Sequence, residues 1–259
     1  MLAGGAGLLE RAAGDLRRAL SEENDQPDAA GGPDAIVGAA RRSGGAGQKY
    51  LRHWLPSDQR SARLAIYNSD DELRFEESGR RDAARIFPYL SPRSTVLDFG
   101  CGSGRVARYV APRCAQLWAV DVSPRMLQLT RERLRETANL RFARCYDVAI
   151  PDVPSASVDV VYSFLVLQHL EREDAFLALR ELRRVLRVDG IAILTFPNLL
   201  ADIYLEGFVH YALSGEVTNQ ARARVYTPQE VERVLPAAGL SVVDVEAANE
   251  IVATCRPVR

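Results

Sequence analysis

The chain has 259 residues with 33 basic and 34 acidic side chains, a net charge of −1, and 47% hydrophobic residues. That is the make-up of one ordinary globular domain with an appendage. Its apolar runs are broken by Asp, Arg or Gly well short of the ~18 residues a membrane-spanning helix needs, and it lacks the basic surplus of phosphate-neutralising chains, so neither a membrane nor a nucleic-acid partner is expected.

The apolar tract over residues 2–9 is largely glycine and alanine, has no basic residue before it and is closed by Glu10 and Arg11. This is a poor secretory signal, and a cytoplasmic location is expected. Residues 8–20 can form a short amphipathic helix. Residues 21–47 are rich in Gly, Ala, Asp and Pro, with Ile36 and Val37 their sizeable apolar groups, too few to offset the entropy of ordering, so residues 1–47 are read as a disordered extension. From residue 48 to 92, Tyr50, Trp54, Leu64, Tyr67, Phe75 and Ile86 recur among charges. They predict a helical cap that either covers a ligand or forms a dimer contact, ended by Pro92.

Beyond that point short apolar runs at 95–99, 117–120, 158–164 and 191–196 alternate with helical patterns. Ser123 is placed as an N-cap and Pro124 at the first position of a helix over 123–136. Over 173–186, Phe176, Leu179, Leu182 and Leu186 share a stripe, and Val188-Asp189-Gly190 reads as a turn after it. Such alternation predicts an α/β fold, a doubly wound, mostly parallel sheet with helices on both faces and ligands at the carboxyl ends of its strands. Residues 197–226 have the length of a lid, carrying Tyr204, Phe208, His210 and Tyr211 toward an acceptor or packed against the domain.

Four cysteines, Cys101, Cys114, Cys145 and Cys255, form no C-x-x-C pair, and three histidines offer no zinc spacing. All four read as reduced thiols, and no metal is expected. The sharpest segment is Val96-Leu97-Asp98-Phe99-Gly100-Cys101-Gly102-Ser103-Gly104-Arg105, a buried strand, a glycine turn and a helix start. The second strand ends at Asp121, about 20 residues after the first glycine, where a carboxylate can take both hydroxyls of a ribose. A G-x-G-x-x-G dinucleotide fingerprint would need glycine at position 105 and has no call for Asp98. The observed pattern is D-x-G-x-G-x-G.

That pattern resembles the first motif of the class I S-adenosylmethionine-dependent methyltransferases, with Asp121 in the place of their ribose-binding acid. The resemblance continues through Phe142 to Val148, Ala156 to Ser163, Leu167-Gln168-His169-Leu170, Arg184 to Gly190 and Thr227 to Gly239. It covers roughly residues 75–259 and is most like the small-molecule, type 11 group that includes ubiquinone-pathway enzymes. It implies a Rossmann-like sheet of seven strands, one of the last two antiparallel, in a catalytic domain over 48–259. It also implies S-adenosylmethionine as cofactor, S-adenosylhomocysteine as product and a small-molecule acceptor.

Carried over by position, Asp147 accepts the adenine amino group, with Val122 and Val148 flanking the ring and Met126 nearby. Gly100, Cys101, Gly102 and Gly104 line the methionyl and ribose path, Asp98 faces the methionyl amino end, and Ser163 and Phe164 sit beside the methionine portion. Cys145-Tyr146 departs from the glycine that many relatives carry before the acid. His169, just past the fourth strand, is either a catalytic base or a helix-start residue bonded to backbone, so no catalytic residue is assigned. The Asn/Asp-Pro-Pro-aromatic motif of amino-methylating nucleic-acid enzymes is absent after the fourth strand, and with Lys49 the sole lysine a two-lysine ribose-methylating tetrad is excluded. The alternatives are transfer to tRNA or protein, and a regulatory protein that binds the cofactor without turnover.

Overall fold

The computed structural model describes residues 50–215 and 223–258. The helix expected at 8–20 and the extension over 1–47 lie outside the described residues. Seven strands form one sheet: β1 (Thr95–Phe99), β2 (Gln116–Asp121), β3 (Leu140–Arg144), β4 (Val158–Ser163), β5 (Leu186–Pro197), β6 (Leu240–Ala247) and β7 (Glu250–Pro257). Their order is β3-β2-β1-β4-β5-β7-β6. The five strands from β3 to β5 are parallel, and β7 runs antiparallel to both β5 and β6. The order reverses between β1 and β4, and such a reversal opens a crevice at the carboxyl ends of the strands.

Alternation along the strands divides the core. Leu97, Phe99, Val161, Ala192 and Leu194 pack on one face. They meet Leu179 and Leu182 of α5 (Arg172–Val185) and Val231 and Leu235 of α7 (Pro228–Ala237). On the other face, Val96, Val160, Tyr162, Ile191 and Ile193 meet Ala83 and Ile86 of α2 (Glu72–Ile86) and Val110 of α3 (Ala107–Val110). The period-2 pattern of apolar residues puts both faces of the central strands out of water, as a sheet covered by helices on two sides requires.

Local signals set several boundaries. Helix α4 (Pro124–Arg133) begins as expected, the Ser123 hydroxyl accepting the Met126 N–H at 3.2 Å. Thr227 and Glu230 form a reciprocal capping box at the start of α7. One reading is corrected: Val188-Asp189-Gly190 is extended backbone inside β5, and the β4 to β5 register shifts between Val158 and Val160. A bulge accommodates the polar residues without ending the strand, because Arg187, Val188 and Asp189 all face solvent.

The N-terminal segment lies across the crevice. Helix α1 (Gln59–Tyr67) packs Ala62 against Met126 and Leu129 of α4, and the Gln59 side-chain amide donates to the Leu129 carbonyl at 2.8 Å. The Tyr50 hydroxyl pairs with Asp174 and accepts the Glu171 N–H at 3.0 Å, fastening the segment to the start of α5. Helix α6 (Asp202–Ser214) buries no residue among those described and leaves Ile203, Phe208 and Leu213 exposed.

Helix α2 sits unusually close to the strand-turn unit that follows β1. A side-chain carbon on Gly79 would lie 2.4 Å from the Arg105 carbonyl oxygen, a backbone atom that cannot rotate away. The helix-propensity gain of alanine, at most about 1 kcal/mol, is smaller than the strain of overpacking. Gly79→Ala should lower unfolding free energy by about 1–3 kcal/mol, read as a lower urea midpoint at unchanged slope; an unchanged or higher midpoint would show that α2 is free to shift.

Candidate active site

The carboxyl ends of β1, β2, β3 and β4 surround one cavity of about 890 Å³, its solvent-open mouth included. At its centre is the glycine turn. The N–H groups of Gly100 and Cys101 both donate to the Val120 carbonyl, at 2.8 and 2.9 Å, which folds the turn over the end of β2. Gly100 (φ 79°) and Gly102 (φ 54°) take left-handed backbone. Space enforces glycine there as well, since a side-chain carbon would lie 2.3 Å from Val166 Cγ2 at Gly100 and 2.7 Å from Ile66 Cδ1 at Gly102.

Asp121 is the point where turn and strand are joined. One carboxylate oxygen accepts the Gly102 N–H and the other the Ser123 N–H, each at 2.9 Å. Each oxygen keeps a lone pair for a further donor. Burial pushes the Asp121 carboxyl up to about 6 against those backbone bonds, which favour the ionised form. Asp98 stands beside Tyr162 in the β1 to β4 register. Burial pushes its carboxyl up to about 7, with the Asp121 charge adding to the rise and Tyr162 and Arg105 opposing it. Arg105 is itself buried, donating to Ser78 at 3.1 Å and Asp82 at 2.5 Å.

Asp147 follows β3 in a tight turn in which Tyr146 and Ala149 exchange backbone hydrogen bonds of 2.9 and 3.0 Å. Its backbone is left-handed (φ 55°), and the Cys145 thiol donates to its carbonyl at 3.0 Å. Aspartate adopts this left-handed backbone more readily than most residues.

Of the residues singled out from sequence, Asp98, Gly100, Cys101, Gly102, Asp121 and Val122 line the cavity, as do Met126, Asp147 and Phe164. Gly104, Val148 and Ser163 do not. Gly104 faces Thr130 and Leu134, Val148 packs in the core, and the buried Ser163 hydroxyl donates to the Phe99 carbonyl at 3.1 Å. Tyr50, Trp54 and Ile66 of the expected cap also line the wall, the first of the two uses open to that segment, and Arg105 and Leu165 join them without a signal in the sequence. None of the four lid residues Tyr204, Phe208, His210 and Tyr211 lines it; the Tyr204 hydroxyl meets Glu250 at 3.3 Å instead.

Residues 97–194 match the family described as methyltransferase domain. Over that stretch the chain is similar to S-adenosylmethionine-dependent methyltransferases. A malonyl-[acyl-carrier protein] O-methyltransferase of Laribacter hongkongensis is 40% identical over 135 residues, 49% of this chain and 44% of that one. A sarcosine/dimethylglycine N-methyltransferase of Halorhodospira halochloris is 34% identical over 155 residues, 56% of this chain and 53% of that one. The chain thus spans about half the length of these relatives. Among solved structures, the Burkholderia thailandensis 1,6-didemethyltoxoflavin-N1-methyltransferase, with 1,6-didemethyltoxoflavin and S-adenosylhomocysteine bound, shares the fold. Its TM-score is 0.55 at 20% identity, over 75% of this chain and 84% of that one.

The cavity fits the cofactor of this methyltransferase family. S-adenosylmethionine carries positive charge on sulfur and on its amino group, and buried Asp98 and Asp121 leave two carboxyls whose ionisation such charge favours. The glycine turn supplies the close backbone approach.

The raised Asp98 carboxyl predicts a pH-dependent stability. Folded protein holds this proton up to about pH 7 while the unfolded chain releases it near 3.8, so stability from this group is present below pH 4 and is lost as pH rises to 7. Asp98→Asn removes the titration. Its melting temperature, relative to that of the unaltered chain, should climb between pH 5 and pH 8; parallel pH profiles would contradict the burial of a titrating Asp98.

Proposed function

We propose that this protein transfers a methyl group from S-adenosylmethionine to an oxygen, nitrogen or carbon atom of a small-molecule metabolite, by in-line displacement. The observation that carries this reading is the convergence of Asp98, the Gly100-Cys101-Gly102 turn, Asp121 and Asp147 on one cavity at the strand-order reversal. In this reading Asp121 takes the ribose hydroxyls, Asp98 faces the methionyl amino group, and Asp147 receives the adenine amino group beside Val122 and Met126.

When bound, S-adenosylmethionine supplies a methyl group attached to a positively charged sulfur. The residues of this chain then orient and enclose. Fixed by two backbone N–H groups, the Asp121 carboxylate undergoes little reorganisation when a ribose arrives. Tyr50, Trp54 and Ile66 wall the cavity on the N-terminal side and reduce its exposure to water. Orientation of this kind is worth roughly 7–11 kcal/mol in well-aligned intramolecular reactions, so a dedicated base is optional.

A second reading takes the acceptor to be an acyl group carried on a protein, and the name of the Laribacter relative favours it. Methyl-labelled S-adenosylmethionine separates the readings when incubated with small hydroxy, amino and carboxylic acids, malonyl-acyl carrier protein and bulk tRNA. Small-molecule product supports the first, label on the carrier protein the second. Turnover of none, despite cofactor binding, would leave a regulatory binding protein.

Asp121→Ala should weaken S-adenosylhomocysteine binding at least tenfold in calorimetric titration, because ribose hydroxyls lose their acceptor and the Gly102 N–H loses its tether. Unchanged affinity would remove Asp121 from the site.

A further inference from the structure

The cavity wall has two chemistries. Around the strand ends it is polar, and among the described residues its carboxylates are Asp98, Asp121 and Asp147. The remainder is built from Tyr50, Trp54, Ile66, Leu165, Val166 and Leu170 around the His169 imidazole, with the Tyr50 hydroxyl engaged by Asp174 and the Glu171 N–H. Nothing in the cofactor reading uses that imidazole.

His169 is held rather than loose. It closes the turn Leu167–His169, and the Trp54 ring meets its imidazole edge to face at 4.8 Å. The ring edge at Nε2 lies 3.4 Å from the Gln168 side-chain amide, Nδ1 is fully enclosed, and the ring also meets the Leu165 backbone. Upstream, Leu165 takes left-handed backbone (φ 61°), with its N–H on the Thr195 hydroxyl at 3.0 Å. A bulky residue in that region costs about 1–3 kcal/mol and persists where the surroundings enforce it. The strain fixes the path of the chain from β4 into the His169 turn.

Burial lowers the His169 imidazole to about 4, with Arg224 and His53 adding to the effect and the Leu165 backbone opposing it, so the ring is neutral at ordinary pH. A neutral imidazole always keeps one nitrogen as an acceptor. Glu171 and Asp174 stand nearby but are engaged, with Arg224 and Tyr50 respectively. An arriving ammonium group would meet a neutral ring set in apolar wall, with the nearby Arg224 and Glu171 already paired to each other; an arriving hydroxyl would meet one acceptor.

We propose that His169 and the apolar wall around it form the acceptor subsite, which takes an uncharged acceptor with an apolar body whose hydroxyl donates a hydrogen bond to the imidazole. This rests on the methyltransferase reading and narrows it, favouring oxygen over an ammonium nitrogen as the atom presented. His169 is a positioning group here, since an imidazole with so low an affinity for protons does not store the one the hydroxyl gives up.

Phenol and benzylammonium are matched probes, a neutral hydroxyl and a cation on similar flat apolar bodies. The ¹⁵N-labelled full chain, saturated with S-adenosylhomocysteine, is titrated with each while the imidazole nitrogen resonances are followed; with three histidines in the chain, His169→Phe assigns the relevant pair. Phenol should shift the His169 resonances saturably and benzylammonium should not. His169→Phe should bind phenol about tenfold more weakly, the loss expected for one hydrogen bond, while keeping its affinity for S-adenosylhomocysteine. The proposal is overturned if phenol leaves His169 unmoved, if the variant binds phenol as well as the unaltered chain, or if benzylammonium shifts His169 equally. Failure of the unaltered chain to bind S-adenosylhomocysteine is a different result, which overturns the cofactor reading and this proposal with it.

Discussion

The bond between the Gly102 N–H and the Asp121 carboxylate organises this protein. It joins the turn after β1 to the end of β2, across 19 residues of sequence, at the place where the strand order reverses. The other Asp121 oxygen holds the first residue of the α4 cap, so one side chain fixes a turn, a strand end and a helix start together. A flexible glycine turn would spend binding energy on becoming ordered; one tied at its middle to a buried carboxylate has already been ordered by folding. The left-handed glycines, the Val120 carbonyl with its two donors and the close approach of Val166 and Ile66 are consistent parts of that arrangement.

Electrostatics explain why such a site is costly and why it suits a cationic ligand. Asp98 and Asp121 are both buried, and each resists ionisation for that reason first. Arg105 offsets part of the cost at Asp98, yet its own guanidinium is directed to Ser78 and Asp82 on α2. Burial therefore makes ionisation costly at both carboxyls, most at Asp98, and a positive charge placed beside them would favour it. Perturbed groups of this kind collect at functional sites.

Much of this was legible in the sequence because it is local. Short apolar runs, the Ser123 and Pro124 helix start, and the spacing of glycines between a strand and a helix are each encoded within about ten residues. So was the meeting of Asp98, Gly100, Gly102 and Asp121, because strand-turn-helix geometry leaves few other arrangements. What escaped, or stayed open between two uses, depends on distant partners. Tyr50 enters the wall because Asp174 and the Glu171 N–H, more than 120 residues away, hold its hydroxyl. Arg105 takes its place because Ser78 and Gly79 let α2 come close. The turn expected at Val188-Asp189-Gly190 failed for the opposite reason, since polar residues and glycine carry the same local signal in a bulged, solvent-facing strand as in a turn. Val148 and Ser163 turn their side chains away from the cavity and Gly104 lies against Thr130 and Leu134, distinctions that residue spacing does not carry.

The central claim is that the pocket at the ends of β1 to β4 is built for an S-adenosyl nucleoside. A crystal structure of the chain grown with saturating S-adenosylhomocysteine tests it most directly. The account predicts the ribose hydroxyls on Asp121, the amino group of the methionyl portion toward Asp98, and the adenine against Val122 and Asp147, with the Gly102 tether unbroken. A ligand seated elsewhere, or crystals with an empty pocket at saturating ligand, would contradict it.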